Sequence, residues 1–262
     1  MIKLVITDVD DTIVPAGNTN PNSAYYDAIH QLREKGIYVV VASGRQKTSI
    51  EKTFAPVRDE IMYVAENGTD IHTLDFHFSE YISNDDYYEL LSDVRKLESG
   101  YEVMLCKPEC AYIESRYPEF FEIMTKEYGY HAKMIEDAMV LSDIDKISVY
   151  RKDGISPEVE RKMKKLWGDR LDVGLAGAQY LDFVKKGCNK GYALSKIQDY
   201  YHIKPEETVA FGNADNDIPM FTYAKYGYAV ADASKRLKHA SYEVIGRMED
   251  DAVLKKMENL IH

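Results

Sequence analysis

Apolar residues near the start of the chain come in short unbroken runs, separated by a segment with helical spacing. Ile2 to Thr7, Ile37 to Ala42 and Met62 to Ala65 are too short for helices and too continuous for half-exposed strands, so they read as buried parallel strands. Between the first two, Tyr25, Ala28, Ile29 and Leu32 fall at i, i+3, i+4 and i+7. That spacing predicts a helix with one apolar face, Asn22 or Ser23 as its cap and Gly36 as its stop. The Pro-, Gly- and Asn-containing stretch Pro15 to Asn22 is expected to be irregular. Asn67-Gly68 predicts a type I′ turn leading into Thr69 to Thr73.

The end of the chain repeats the alternation. Lys190 to Tyr201 has helical spacing, and Thr208–Phe211, Tyr226–Val230 and Tyr242–Ile245 read as strands, with short helices from Ser234 and Asp251. Regular succession of strand and helix predicts an α/β domain, a parallel sheet with helices on both faces. The middle differs. Helical patterns at Tyr87–Leu97, Glu119–Tyr128 and Pro157–Trp167 mix with strand candidates at Glu102–Leu105, Lys146–Arg151 and Tyr180–Val184. An inserted α+β domain at 83–183 is therefore expected to split a core made of 1–82 and 184–262.

Charge narrows the partners. The chain carries 33 Lys and Arg against 44 Asp and Glu, a net charge of −11. The insert holds 14 basic and 21 acidic residues and the remainder 19 and 23, so both parts are acidic. Neither presents a net-basic surface for a phosphate backbone, and a small ligand is expected rather than nucleic acid. No run approaches the roughly 20 apolar residues of a membrane span, and Leu4-Val5-Ile6 is too short for a signal-peptide core. The expectation is a cytoplasmic chain without membrane partners. Cys106, Cys110 and Cys188 are too few for a disulfide framework, and the C-x3-C pair has no second half, so reduced thiols are expected. The seven histidines show no H-E-x-x-H or other metal spacing.

Chemistry concentrates where strands end. Asp8-Val9-Asp10-Asp11-Thr12 places three carboxylates after the first apolar run, and ligands of open α/β sheets bind at the strands' carboxyl ends. Alternation would put Asp8 and Asp10 on one side if the strand persisted that far. Such close like charges call for a cation, and carboxylate oxygens suit Mg2+. An acid-rich capping loop is the plainer alternative. Ala42-Ser43-Gly44-Arg45 offers a hydroxyl and backbone amides after the second strand, as an anion site or as an ordinary Ser-capped turn. Lys190 opens a helix, where its charge opposes the helix dipole unless an anion lies near; a solvated surface lysine is the alternative. Gly212-Asn213-Ala214-Asp215-Asn216-Asp217 follows another strand and reads as metal-ligating or as an Asx-rich turn.

In order and spacing, these four segments resemble the motifs of the haloacid dehalogenase-like (HAD) phosphatases, most closely the Cof-type subfamily. The hallmarks are D-x-D-x-T at Asp8–Thr12, the Ala42-Ser43-Gly44-Arg45 turn, Glu66-Asn67-Gly68-Thr69, and an insert before Lys190. The resemblance implies a Rossmann-like core with an α+β cap. It also implies a Mg2+-dependent phosphatase of a small phosphorylated metabolite, a sugar phosphate first, working through an aspartyl-phosphate. Asp8 would be the nucleophile and Asp10 the general acid and base. Ser43, Gly44, Lys190 and Asn216 would bind phosphate. Asp8, the Asp10 carbonyl and Asn213 would hold the metal, with Asp217 orienting from behind and Asp11, Thr12 and Arg45 in support. The cap would close over the site and choose the leaving group.

One departure is that Asn213 stands where the family usually has an acid, which removes a charge from the metal site; Asp215 or Asp217 is a candidate to compensate. Arg45 is open to contact with cap, substrate or a surface acid. A phosphomutase, or a binding or regulatory protein with weakened catalysis, is the alternative reading. A receiver-type domain would lack the insert, and a nicotinamide dehydrogenase would need the absent G-x-G-x-x-G. Monomer or weak homodimer is the expected state.

Overall fold

Every residue of Leu4–Asp8 (β1) is buried, as befits a strand flanked on both edges and covered on both faces. The computed structural model describes residues 1–15, 18–127 and 129–261. Ala16 and Gly17, in the stretch expected to be irregular, and Tyr128, the end of an expected helix, lie outside the described residues. From β1 the chain forms α1 (Ala24–Glu34), β2 (Tyr38–Ala42), α2 (Lys47–Thr53), β3 (Met62–Ala65), β4 (Asp70–His72) and β5 (His77–Ser79). The middle forms α3 (Asn84–Val94), β6 (Glu102–Lys107), β7 (Cys110–Glu114), α4 (Pro118–Glu122), β8 (Ala132–Ile135), β9 (Lys146–Tyr150), α5 (Pro157–Trp167), β10 (Leu171–Ala176) and β11 (Tyr180–Lys185). The chain ends with α6 (Lys190–Tyr201), β12 (Thr208–Gly212), α7 (Ile218–Thr222), β13 (Tyr226–Ala229), α8 (Lys235–Ala240), β14 (Glu243–Val244) and α9 (Ala252–Ile261).

The chain divides into two compact units, Met1–Phe78 with Asn189–His262, and Ser79–Cys188. The first is built on an eight-stranded sheet in the order β14-β13-β12-β1-β2-β3-β4-β5. Its strands are parallel from β14 to β3 and antiparallel from β3 to β4. The crossovers from β1 to β2 and from β12 to β13 run in opposite directions across the sheet; with the right-handed connection that parallel strands follow, α1 and α7 belong on opposite faces. α1 buries the four expected residues Tyr25, Ala28, Ile29 and Leu32. Asn22 Oδ1 accepts from the Ala24 amide at 3.1 Å, and Gly36 leaves the helix at φ +75°, where a side chain would be strained.

The second unit is a six-stranded sheet, β10-β11-β9-β6-β7-β8, antiparallel except between β7 and β8. Tyr87, Leu90 and Leu91 of α3 and Met163 and Trp167 of α5 share a core with Val103, Leu105, Ile147 and Val149 of the sheet. Sequence pattern misses β7, β8 and β10. β10 ends on exposed Leu175 and Ala176, so an edge position blurs its alternation, and β7 buries Glu114 where the pattern reads polar. The expected helix Glu119–Tyr128 is instead a five-residue helix followed by a π turn, Ile123–Glu127. There Thr125 Oγ1 donates to the Phe121 carbonyl at 2.8 Å, drawing that acceptor into a side-chain bond. The C-x3-C pair is a hairpin feature: Lys107 pairs with Cys110 and Cys106 with Ala111. All three cysteines are buried thiols outside any disulfide.

Two expectations in the first unit need correction. Asn67-Gly68 does not form a two-residue type I′ turn. Ala65 pairs with Asp70, leaving a four-residue loop in which Glu66, Asn67 and Gly68 all have positive φ. The loop bends this way because Gly68 passes over the start of α6: a Cβ on it would lie 2.3 Å from the Asn189 carbonyl oxygen. The last strand is also shorter than expected, Glu243–Val244 alone. Among the described residues, no helix is long and apolar enough to cross a membrane.

Candidate active site

β1 sits between β12 and β2, where the sheet's crossovers change direction, the position at which open α/β sheets bind ligands. Thr7 pairs with Phe211 and Asp8 with Ala42, so Asp8, Gly212-Asn213 and Ser43 emerge at one edge. The strand stops at Asp8, and its alternation does not carry to Asp10. Instead the Val9 carbonyl accepts from Ile13 N at 3.0 Å and Val14 N at 2.9 Å, coiling the loop. Asp11, at φ 56°, is exposed and supports the turn through its backbone amide, which donates to the Val14 carbonyl at 2.8 Å.

That coil returns Thr12 to Asp8, where Thr12 Oγ1 donates to Asp8 Oδ2 at 2.8 Å. The other oxygen, Oδ1, accepts from Lys190 Nζ at 2.5 Å. Lys190 also donates to Asp217 Oδ1 at 2.7 Å, and Asp217 Oδ2 accepts from the amides of Asn213 at 2.9 Å and Ala214 at 3.0 Å. All three side chains are buried. Burial pushes the Asp8 carboxyl up to about 7 and nearby Asp217 adds to the rise, while Lys190 and Thr12 oppose it. Burial also works against the Lys190 ammonium, but Asp217 and Asp8 outweigh it and hold the proton on. Lys190 is thus no surface lysine. Gly212 is required beside it, since a Cβ there would lie 2.7 Å from the Asp217 carboxylate.

A second cluster forms around Asp10. Arg45 donates from Nε to Asp10 Oδ2 at 3.0 Å and from Nη2 to Oδ1, a two-pronged grip whose geometry suits a guanidinium. Its Nη1 donates to Thr53 Oγ1 at 3.2 Å. Ser43 Oγ accepts from the Arg45 amide at 3.1 Å and lies 3.5 Å from Asp10 Oδ2. Ser43 does not cap a helix, because α2 begins at Lys47 after Gln46. The Asn67 amide donates to the Ser43 carbonyl at 3.0 Å, and Asn67 Oδ1 accepts from Asn216 Nδ2 at 3.2 Å. A Cβ on Gly44 would come within 3.1 Å of the Asn67 side chain. Asn67 therefore links the Ser43–Arg45 turn to the Asn213–Asp217 turn, a role that sequence reading misses because it comes from the loop's unforeseen shape.

Asp215 is the residue not brought in. Its carboxylate accepts from Ser234 Oγ at 2.5 Å and Arg236 Nη1 at 2.7 Å, at the start of α8. Asp217 is fully engaged with Lys190 and two amides. Neither replaces the charge absent at half-buried Asn213. The donor set still suits a hard divalent ion in kind: Asp8 carboxylate, Asp10 carbonyl and Asn213 amide are all oxygen ligands. Asp8 and Asp217 share one ammonium, so an unbalanced buried negative charge favours a cation.

A model of the haloacid dehalogenase-like hydrolase family matches residues 5–257. The chain is 24% identical to the 5-amino-6-(5-phospho-D-ribitylamino)uracil phosphatase YbjI of Escherichia coli (strain K12), over 99% of this chain and 96% of that one. A crystal structure from Eubacterium rectale superposes with a TM-score of 0.90 at 28% identity, covering 99% of each chain. A HAD subclass IIB sugar phosphatase superposes with a TM-score of 0.83 at 21% identity, covering 99% of this chain and 100% of that one.

Proposed function

We propose a reaction for this chain, which belongs to the haloacid dehalogenase-like hydrolases and is a Cof-type phosphatase: Mg2+-dependent hydrolysis of a small sugar or polyol phosphomonoester through an aspartyl-phosphate on Asp8. Phosphatases of this family generally use a divalent metal, usually Mg2+. The observation that carries the reading is Asp8 held between Thr12 and buried Lys190 at the sheet's switch point.

A carboxylate oxygen of Asp8 attacks phosphorus while the bond to the leaving alkoxide breaks. Asp10 gives that oxygen its proton, then takes one from the water that splits the aspartyl-phosphate and frees Asp8. Lys190 offsets charge on Asp8 and the phosphoryl group, and Ser43, the Gly44 amide and Asn216 orient the phosphoryl oxygens. Arg45 positions Asp10 between these steps. Asp8, the Asp10 carbonyl and Asn213 would hold the ion, which would supply charge stabilisation. Asp217 orients Lys190.

Substrate choice is assigned to the inserted residues 83–183. The names of the ribitylaminouracil phosphatase and the sugar phosphatase support a phosphorylated polyol or sugar. Phosphate release from an aryl phosphate, and then from a panel of sugar and polyol phosphates, tests the reading. Release that requires Mg2+ and disappears in Asp8→Asn is expected. Silence under every condition moves the assignment to a binding protein.

A further inference from the structure

We propose a second metal site in the core unit, formed by Asp70, His72 and His77 on the β4–β5 hairpin and suited to a transition ion such as Zn2+. Linear spacing hides it. Asp70 and His72 stand two apart on β4 and share a face. The turn closed by the Thr73 amide on the Phe76 carbonyl at 2.8 Å then brings His77 back beside them. His72 Nε2 lies 2.9 Å from Asp70 Oδ2, and His77 Nε2 lies 2.8 Å from Asp70 Oδ1. The two imidazoles stack with centroids 3.9 Å apart and planes 14° apart. One ligand atom from each of the three residues falls within 4.8 Å of the others.

Burial distinguishes this cluster from a surface ion pair. Asp70 is fully buried, His72 nearly so, and His77 is half exposed, giving a fixed anion at the base and an opening to solvent. Two imidazoles and a carboxylate are borderline ligands, which select Zn2+ or its neighbours over Mg2+. Bonds of about 2 Å to a tetrahedral ion need each N···O pair to part by about half an ångström, within reach of side-chain rotation. Each Nε2 must be free of a proton to bind the metal, so binding is coupled to proton release or to a change of tautomer. Three protein ligands leave a position for water. β4 starts directly after the Glu66–Thr69 loop, so an ion here would brace the hairpin next to Asn67 without entering the reaction.

Zinc uptake by the tag-free full chain, saturated with Mg2+ and measured against a zinc indicator, tests the site. One zinc per chain is expected in both the wild type and Asp8→Asn. In His77→Gln affinity falls at least about tenfold, while Mg2+-dependent phosphatase activity stays unchanged. Co2+ in place of zinc is expected to give a visible absorption band that His77→Gln loses. Zinc affinity unchanged in His77→Gln, zinc lost in Asp8→Asn, or no uptake at micromolar zinc overturns the proposal.

Discussion

The ammonium of Lys190 lies 2.5 Å from Asp8 Oδ1, and both side chains are buried. Lys190 also reaches Asp217, so its removal leaves two carboxylates facing each other without a cation. Breaking a buried pair by deleting one partner costs about 3–5 kcal/mol. Lys190→Met is expected to lower the unfolding free energy of the metal-free protein, read from its urea midpoint and slope, by about 3–5 kcal/mol and to abolish phosphatase activity. A midpoint equal to the wild type's would show that the pair does not bear on stability.

Asp217 is expected to act through its two oxygens separately. Oδ2 accepts from two backbone amides, and Asp217→Asn must either turn an NH2 group toward those amides or lose the oxygen facing Lys190. Each unsatisfied buried donor costs about 1–3 kcal/mol. Stability is expected to fall by that much and kcat by about 10–100-fold, as for partners that orient a metal site. Denaturation and steady-state kinetics on one preparation check both; full kcat with lowered stability would leave Asp217 a purely structural part.

Asn213→Asp adds a formal charge at a position assigned above to the metal. Mg2+ binding is expected to tighten several-fold, in keeping with the dependence of such sites on ligand charge, with turnover unchanged or higher. Titration of activity with Mg2+ measures both. A large loss of turnover would mean the amide itself is needed.

Alkaline pH should weaken the fold partly through Cys188. Burial, helped by Glu80, pushes this thiol from an ordinary value of 9.0 up to about 12. Between those values the unfolded chain loses a proton that the folded one keeps, so this contribution is full below pH 9 and is lost as pH rises toward 12. Buried tyrosines titrate upward as well, so the test is a difference: urea midpoints of wild type should fall more steeply over this window than those of Cys188→Ala. Parallel slopes would remove Cys188 from the account.

The core was legible because its strands are buried on both faces and read as continuous apolar runs, and Lys190–Tyr201 and Met62–Ala65 fall at the expected residues. The acids, hydroxyl and lysine were legible because each stands at a strand or helix end. What escaped depends on distant contacts. Arg45 gripping Asp10 spans 35 positions, and no local pattern separates Asp215, turned to Arg236, from Asp217 two residues on, turned to Lys190. The half-exposed His77 and buried Asp70 meet only because a hairpin folds back, so spacing along the chain says nothing of them.

The proposed reaction runs through a covalent bond between Asp8 and phosphorus. A single turnover with labelled phosphomonoester, followed by acid quench, proteolysis and mass spectrometry, reads it directly: the peptide that contains Asp8 is expected to carry the phosphoryl group. A trapped phosphoryl group on Asp8 is the predicted result, and an unmodified Asp8 peptide during active turnover, with Asp8→Asn still active, would contradict the account.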